Sequence, residues 1–159
     1  MKTKLQILLL SVLLALFALP ASAQFTGLTM QSYSFRDVHP TGLRGVAGAL
    51  EFELNNSGER REIRDVKAVV FKKGKAFLKG TCQNLVLERG TKSYTVSGKV
   101  RLSAGVSVVS AISSVMNFDP SLYTVNVSLL LIHEDGRKES IIRKGVPVSR
   151  FIKGENLSE

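Results

Sequence analysis

The chain has 159 residues, 44% of them hydrophobic, with 22 lysines and arginines against 13 acids and a formal net charge of +9. That balance excludes an acidic disordered chain and favours anionic partners such as lipid head groups, acidic glycans or nucleic acid. Cys82 is the single cysteine, which excludes an intramolecular disulfide and leaves any exported fold to be held by its core alone.

The N-terminus reads as an export signal. Lys2 and Lys4 precede an apolar run from Leu5 to Leu19, and Pro20 breaks it before Ala21-Ser22-Ala23, an A-x-A cleavage pattern. The run is shorter than the roughly 20 residues a spanning helix needs. No cysteine follows it to carry a lipid anchor. The expectation is a signal peptide over 1–23, cleaved after Ala23, with an uncleaved anchor as the alternative, followed by a single domain over 24–152 and a flexible tail over 153–159. Export to the periplasm or extracellular space, associated with the envelope, removes nucleic acid from the expected partners. The longest later apolar stretch, Val125 to Ile132, is only strand-length, so no integral membrane segment is expected after cleavage.

Beyond the signal, period-two alternation dominates. Val46, Gly48, Leu50, Phe52 and Leu54 share one face of a strand, with Glu51 and Glu53 on the other, and Asn55-Asn56-Ser57-Gly58 supplies turn residues at its exit. Ile63 to Phe71 predicts a strand buried on much of both faces. Lys72-Lys73-Gly74 predicts a three-residue hairpin, from which Lys75 to Lys79 returns antiparallel. Short strands follow at Leu85–Leu87, Lys92–Val96 and Lys99–Leu102. From 104 to 117 the period changes: Val108, Val109, Ile112, Val115 and Met116 recur at helical spacing, with Ser103 as the expected N-cap and Asp119-Pro120 as the stop. Tyr123, Val125, Val127, Leu129 and Leu131 then line one strand face, and Asp135-Gly136 predicts a type I′ turn. Lys138 to Arg143 pairs back, and Val146 to Ile152 is a last edge strand holding Pro147. Seven or eight strands with one helix at about 104–117 describe a mainly β, antiparallel sandwich or barrel.

Between Gly42 and Val148 this pattern resembles the LEA14/WHy family, the β-sandwich late-embryogenesis-abundant proteins. The resemblance is carried by Ala49-Leu50-Glu51-Phe52-Glu53-Leu54-Asn55-Asn56, by Ile63-Arg64-Asp65-Val66-Lys67-Ala68-Val69-Val70-Phe71 with a glycine hairpin at Gly74, and by Ser93-Tyr94-Thr95-Val96-Ser97-Gly98-Lys99-Val100 ahead of the helix. Where the family has Asn-Pro-Asn, this chain has Asn55-Asn56-Ser57. The resemblance implies an immunoglobulin-like sandwich, a stress- or desiccation-related role and no catalytic residues.

The residues themselves offer little chemistry. Glu51 and Glu53 lie two apart on one strand, a separation compatible with a glycosidase pair. Such pairs usually come from different elements, however, and the chain has no tryptophan to stack a sugar. A solvated strand face is the expected setting. His39 and His133 are the only histidines, and with Cys82 they show no metal-ligand spacing, so structural or surface roles are expected. Nucleophile-elbow, phosphate-loop and dinucleotide motifs are absent from the sequence. The Asn-x-Ser sequons at Asn55, Asn126 and Asn156 read as chance. No catalytic, cofactor or metal site is therefore expected. What remains is the basic stretch between Arg60 and Lys79. Arg64, Lys67, Lys72, Lys73, Lys75 and Lys79, with Phe71 and Phe77 at the hairpin, form a candidate contact for an anionic lipid or glycan, or for a partner protein of the envelope. The alternative is a solvated hairpin whose lysines protect an edge. The function expected is a non-enzymatic, exported LEA14-like domain with a binding or protective role.

Overall fold

The alternation read at 46–54 is one strand of a mainly β sandwich with a single short α-helix, seen in a computed structural model that describes residues 27–149. The predicted signal peptide and tail lie outside the described residues. The elements are β1 (Leu28–Pro40), β2 (Gly45–Asn56), β3 (Arg61–Lys72), β4 (Lys75–Cys82), β5 (Leu85–Leu87), β6 (Gly90–Leu102), α1 (Val108–Met116), β7 (Tyr123–His133) and β8 (Lys138–Pro147). A 3-10 turn at Pro120–Leu122 leads into β7.

All pairings are antiparallel, in the order β1-β2-β6-β4-β3-β7-β8, with β5 added against the start of β3. The sheet curls so that inward residues from both halves meet in one core. Leu50, Phe52 and Leu54 of β2 join Ile63, Ala68 and Val70 of β3, Phe77 of β4, Leu87 of β5 and the whole inner face of β7. Each fully buried aliphatic or aromatic side chain contributes roughly 1.5–3 kcal/mol, which explains how a chain without disulfides holds this fold. Asn56 closes one corner of the core. It is buried, donates to the carbonyls of Glu59 (2.9 Å) and Glu88 (3.2 Å) and accepts from Gly58 N–H at 3.0 Å, tying the exit of β2 to the β5–β6 corner.

The local geometry departs from the sequence reading in several places, each with a physical reason. The two hairpins exchange turn types. Lys72 pairs with Lys75, so the loop is only Lys73-Gly74, and both have positive φ (+50° and +80°), as a two-residue type I′ turn requires. At Asp135-Gly136 only Gly136 has positive φ (+87°). Gly136 N–H bonds the His133 carbonyl and His133 N–H bonds that of Arg137, which makes a three-residue loop with a glycine bulge. Twist compatibility allows either solution, and strand register outside the turn selects between them.

The predicted strands at 92–96 and 99–102 are one continuous β6. Gly98 does not break it because a Cβ there would meet the Thr81 carbonyl at 3.1 Å; the glycine admits β4 at close quarters. Likewise 138–143 and the start of the predicted last strand are one β8, which ends at Pro147. β1 was not predicted. It is an edge strand with few buried side chains and two register shifts, so it shows little alternation. The helix is shorter than 104–117. Its N-cap is Ser107, whose Oγ accepts from Ser110 N–H at 3.1 Å. Ser103, the expected cap, is buried, with its N–H on the Phe77 carbonyl at 3.0 Å and its carbonyl taking Arg44 Nη2 at 2.8 Å.

Candidate functional site

β3 decides where its basic residues point. Between Arg64 and Lys67 its register against β7 shifts, with Asp65 at φ +54°. The extra residue moves Lys67 into the outward set with Val69, while Val66, Ala68 and Val70 point in. Arg64 also faces out and pairs with Glu62 at 2.5 Å. Lys72 falls in the inward set. Its Nζ donates to Ser114 Oγ of α1 at 2.8 Å and sits 6.0 Å from the centre of the buried Tyr123 ring, so it docks the helix onto the sheet. Phe77 does not edge the hairpin either: it is buried against Tyr123 with ring centres 5.6 Å apart. Lys73 and Lys75 remain at the hairpin tip, exposed.

The sheet register gathers a different set of cations. On the outer face Lys67 pairs with Thr81, and Thr81 with Lys99, making one rung across β3, β4 and β6. The next rung is Val69, Lys79 and Arg101. Adjacent rungs lie about 6.5–7 Å apart along a strand, so Lys67, Lys79, Lys99 and Arg101 occupy one small patch. None of the four is ion-paired with another described residue. Arg44, from the β1–β2 loop, joins Lys79, Lys99 and Arg101 around an open depression of about 510 Å³, with Thr41 and Thr81 as further polar lining and no acid. Of the six residues singled out in the sequence, only Lys67 and Lys79 belong to this patch. Arg44, Lys99 and Arg101 were missed. The alternation Ser97-Lys99-Arg101 marks both β6 residues as outward-facing, but their juxtaposition with Lys79 depends on pairing between distant strands.

Other titratable groups are engaged in structure. Glu51 and Glu53 stand on the outer face of β2, with Glu51 paired to Arg36 of β1. Three cavities, at the β2–β4–β6 centre, beside α1 and at the cationic depression, are lined by neither an acid nor a histidine. His39 bonds the Asp37 carbonyl through Nδ1 at 2.6 Å. His133 is buried, with Nδ1 2.5 Å from Glu59 and Nε2 3.0 Å from Glu139. The two carboxylates take opposite ring nitrogens, so the three groups do not converge on one ion; they raise the imidazole above its ordinary pKa, the Glu59 bond first and the Glu139 bond second. Burial pushes the Cys82 thiol up to about 11. Among the described residues no group of three or more His, Cys, Asp or Glu is placed to hold a metal, and no helix is long and apolar enough to cross a membrane.

No family model and no curated protein matches the chain. Solved structures similar to it include a protein from Archaeoglobus fulgidus, at 9% identity over 74% of this chain and 94% of that one with a TM-score of 0.41. Another is the Northeast Structural Genomics Consortium target SoR45, at 12% identity over 77% of this chain and 88% of that one with a TM-score of 0.33. The β-sandwich assignment rests on the hydrogen-bonded topology itself.

Proposed function

We propose that the protein is a non-enzymatic domain of LEA14/WHy type, exported to the cell envelope, that binds and thereby protects anionic envelope components. One observation carries this reading: Lys67, Lys79, Lys99 and Arg101 are held together on the outer face of the sheet with no acid among them. Gathering like charges opposes folding, and an anionic ligand would relieve that repulsion. The two lysines of the N-terminus, the apolar run after them and the A-x-A pattern support export.

The test is co-sedimentation of the purified protein with anionic and with neutral vesicles, and with an acidic polysaccharide, at low and high salt. Binding to the anionic materials should weaken as salt rises, because exposed charges are screened beyond about 10 Å at 0.1 M. Binding that is absent, or that is indifferent to both salt and the Lys79→Glu/Arg101→Glu double substitution, would sink the proposal.

A further inference from the structure

The cationic depression leaves a set of apolar side chains beside it unexplained. Leu43, in the loop between β1 and β2, is 88% exposed, and Val109, Ile112 and Met116 of α1 are 78%, 49% and 58% exposed. The last three recur at i, i+3 and i+7, so they form one stripe along the helix. It is not the stripe by which α1 packs, since Ala111 and Val115 meet the core and Ser114 is the buried residue of the helix. The apolar periodicity visible in the sequence is thus two stripes, one turned in and one turned out. Leu43 and Ile112 both line a groove of about 200 Å³, together with Phe77, Leu78 and Leu102. Arg44 and Arg101 line this groove as well as the cationic depression. Protruding apolar groups and the cations Arg44 and Arg101 therefore share a border.

The geometry points to this corner as a membrane-docking face for an anionic phospholipid bilayer. Leu43, Val109 and Ile112 enter the acyl boundary while Arg44, Lys79, Lys99 and Arg101 take lipid phosphates. The inference rests on the proposed anionic-surface reading and adds to it the depth and orientation of binding. Charge complementarity selects the occupant. An acidic glycan would use the cations and leave the protruding side chains in water. The groove is also smaller than the roughly 300–1,000 Å³ of sites that enclose a drug-sized ligand. An amphipathic surface of basic and large apolar groups matches the headgroup–acyl boundary of an anionic membrane.

The chain contains no tryptophan, so Val109→Trp introduces a single fluorescent reporter in the purified protein, and Leu43→Trp supplies a second, outside every helix and strand. With phosphatidylglycerol vesicles both reporters should shift to the blue and be quenched by brominated acyl chains; with phosphatidylcholine vesicles neither should. Ile112→Glu should weaken partitioning by about tenfold or more, since burying one large apolar side chain corresponds to at least that factor. The hairpin change Lys73→Glu/Lys75→Glu should weaken it less. Salt-sensitive binding to phosphatidylglycerol with both reporters still in water overturns the docking face and leaves the cationic reading standing. A reporter already blue in buffer and unmoved by vesicles shows that the stripe is covered by the chain itself or by a second copy, and also overturns it. No binding to anionic vesicles or to acidic polysaccharide overturns the cationic reading, and this inference with it.

Discussion

Lys79 and Arg101 face each other directly across the β4–β6 ladder, both exposed, and Lys79→Glu separates what they do for folding from what they do for binding. Like charges directly opposite one another in a ladder destabilise it by some tenths of a kcal/mol, roughly 0.2–1. Replacing Lys79 by glutamate converts that repulsion into an attraction. Allowing for solvent screening of two exposed side chains, the net gain should be about 0.5 kcal/mol. In a domain of this size 1 kcal/mol moves Tm by roughly 3–6 °C, so the variant should melt about 2 °C higher at low salt and converge with the parent at high salt. On an anionic surface the same change removes one cation, worth about 1 kcal/mol, and adds a repulsion of similar size. Partitioning should then weaken by about 30-fold. Thermal unfolding followed by circular dichroism, paired with vesicle co-sedimentation, reads both effects on one preparation. A lower Tm would refute the register that opposes these residues. A higher Tm with unchanged binding would refute the patch as the contact surface.

Three further outcomes follow from the local chemistry. His133 has its pKa raised by Glu59 and Glu139, so its ion pairs contribute fully below the unfolded value of about 6.5 and are lost as pH climbs through the higher folded value. The Tm advantage of the parent over His133→Gln should therefore shrink as pH rises above the unfolded value of about 6.5, and parallel profiles would count against the paired imidazolium. Ser107→Ala should cost about 1 kcal/mol and speed amide exchange in the first turn of α1, whereas the same change at Ser121 should leave that turn unaffected. Cys82, with its thiol held at about 11, should react with a thiol reagent at neutral pH far more slowly than in the urea-unfolded chain; equal rates would contradict its burial.

Much of the fold was legible because it is local. Residues two apart on a strand point the same way whatever the strand pairs with, so Leu50, Phe52 and Leu54, and the Tyr123–Leu131 face, announce both their strands and their burial. The helix was legible for the same reason, through a change of period from two to 3.6. What failed were features whose cause lies elsewhere in the chain. β1 earns its place by hydrogen-bonding to β2, and its mostly exposed side chains keep no alternation. The two hairpin turns traded types because the strands flanking them set the register.

The candidate site shows the same division more sharply. Composition and order along the chain determine that this is a basic, cysteine-poor, mainly β domain, and the alternation Ser97-Lys99-Arg101 places Lys99 and Arg101 at outward positions. They say nothing about which outward positions are neighbours. Only the pairing of β3 with β4 and of β4 with β6 puts Lys67, Lys79, Lys99 and Arg101 together, and only the shift at Asp65 gives Lys67 its outward parity. Tertiary packing also turned Lys72 inward onto Ser114 and left Val109 and Ile112 exposed beside Arg101's groove. Strand periodicity is a property of a few consecutive residues, but a surface patch is a property of strands that meet from far apart in the chain.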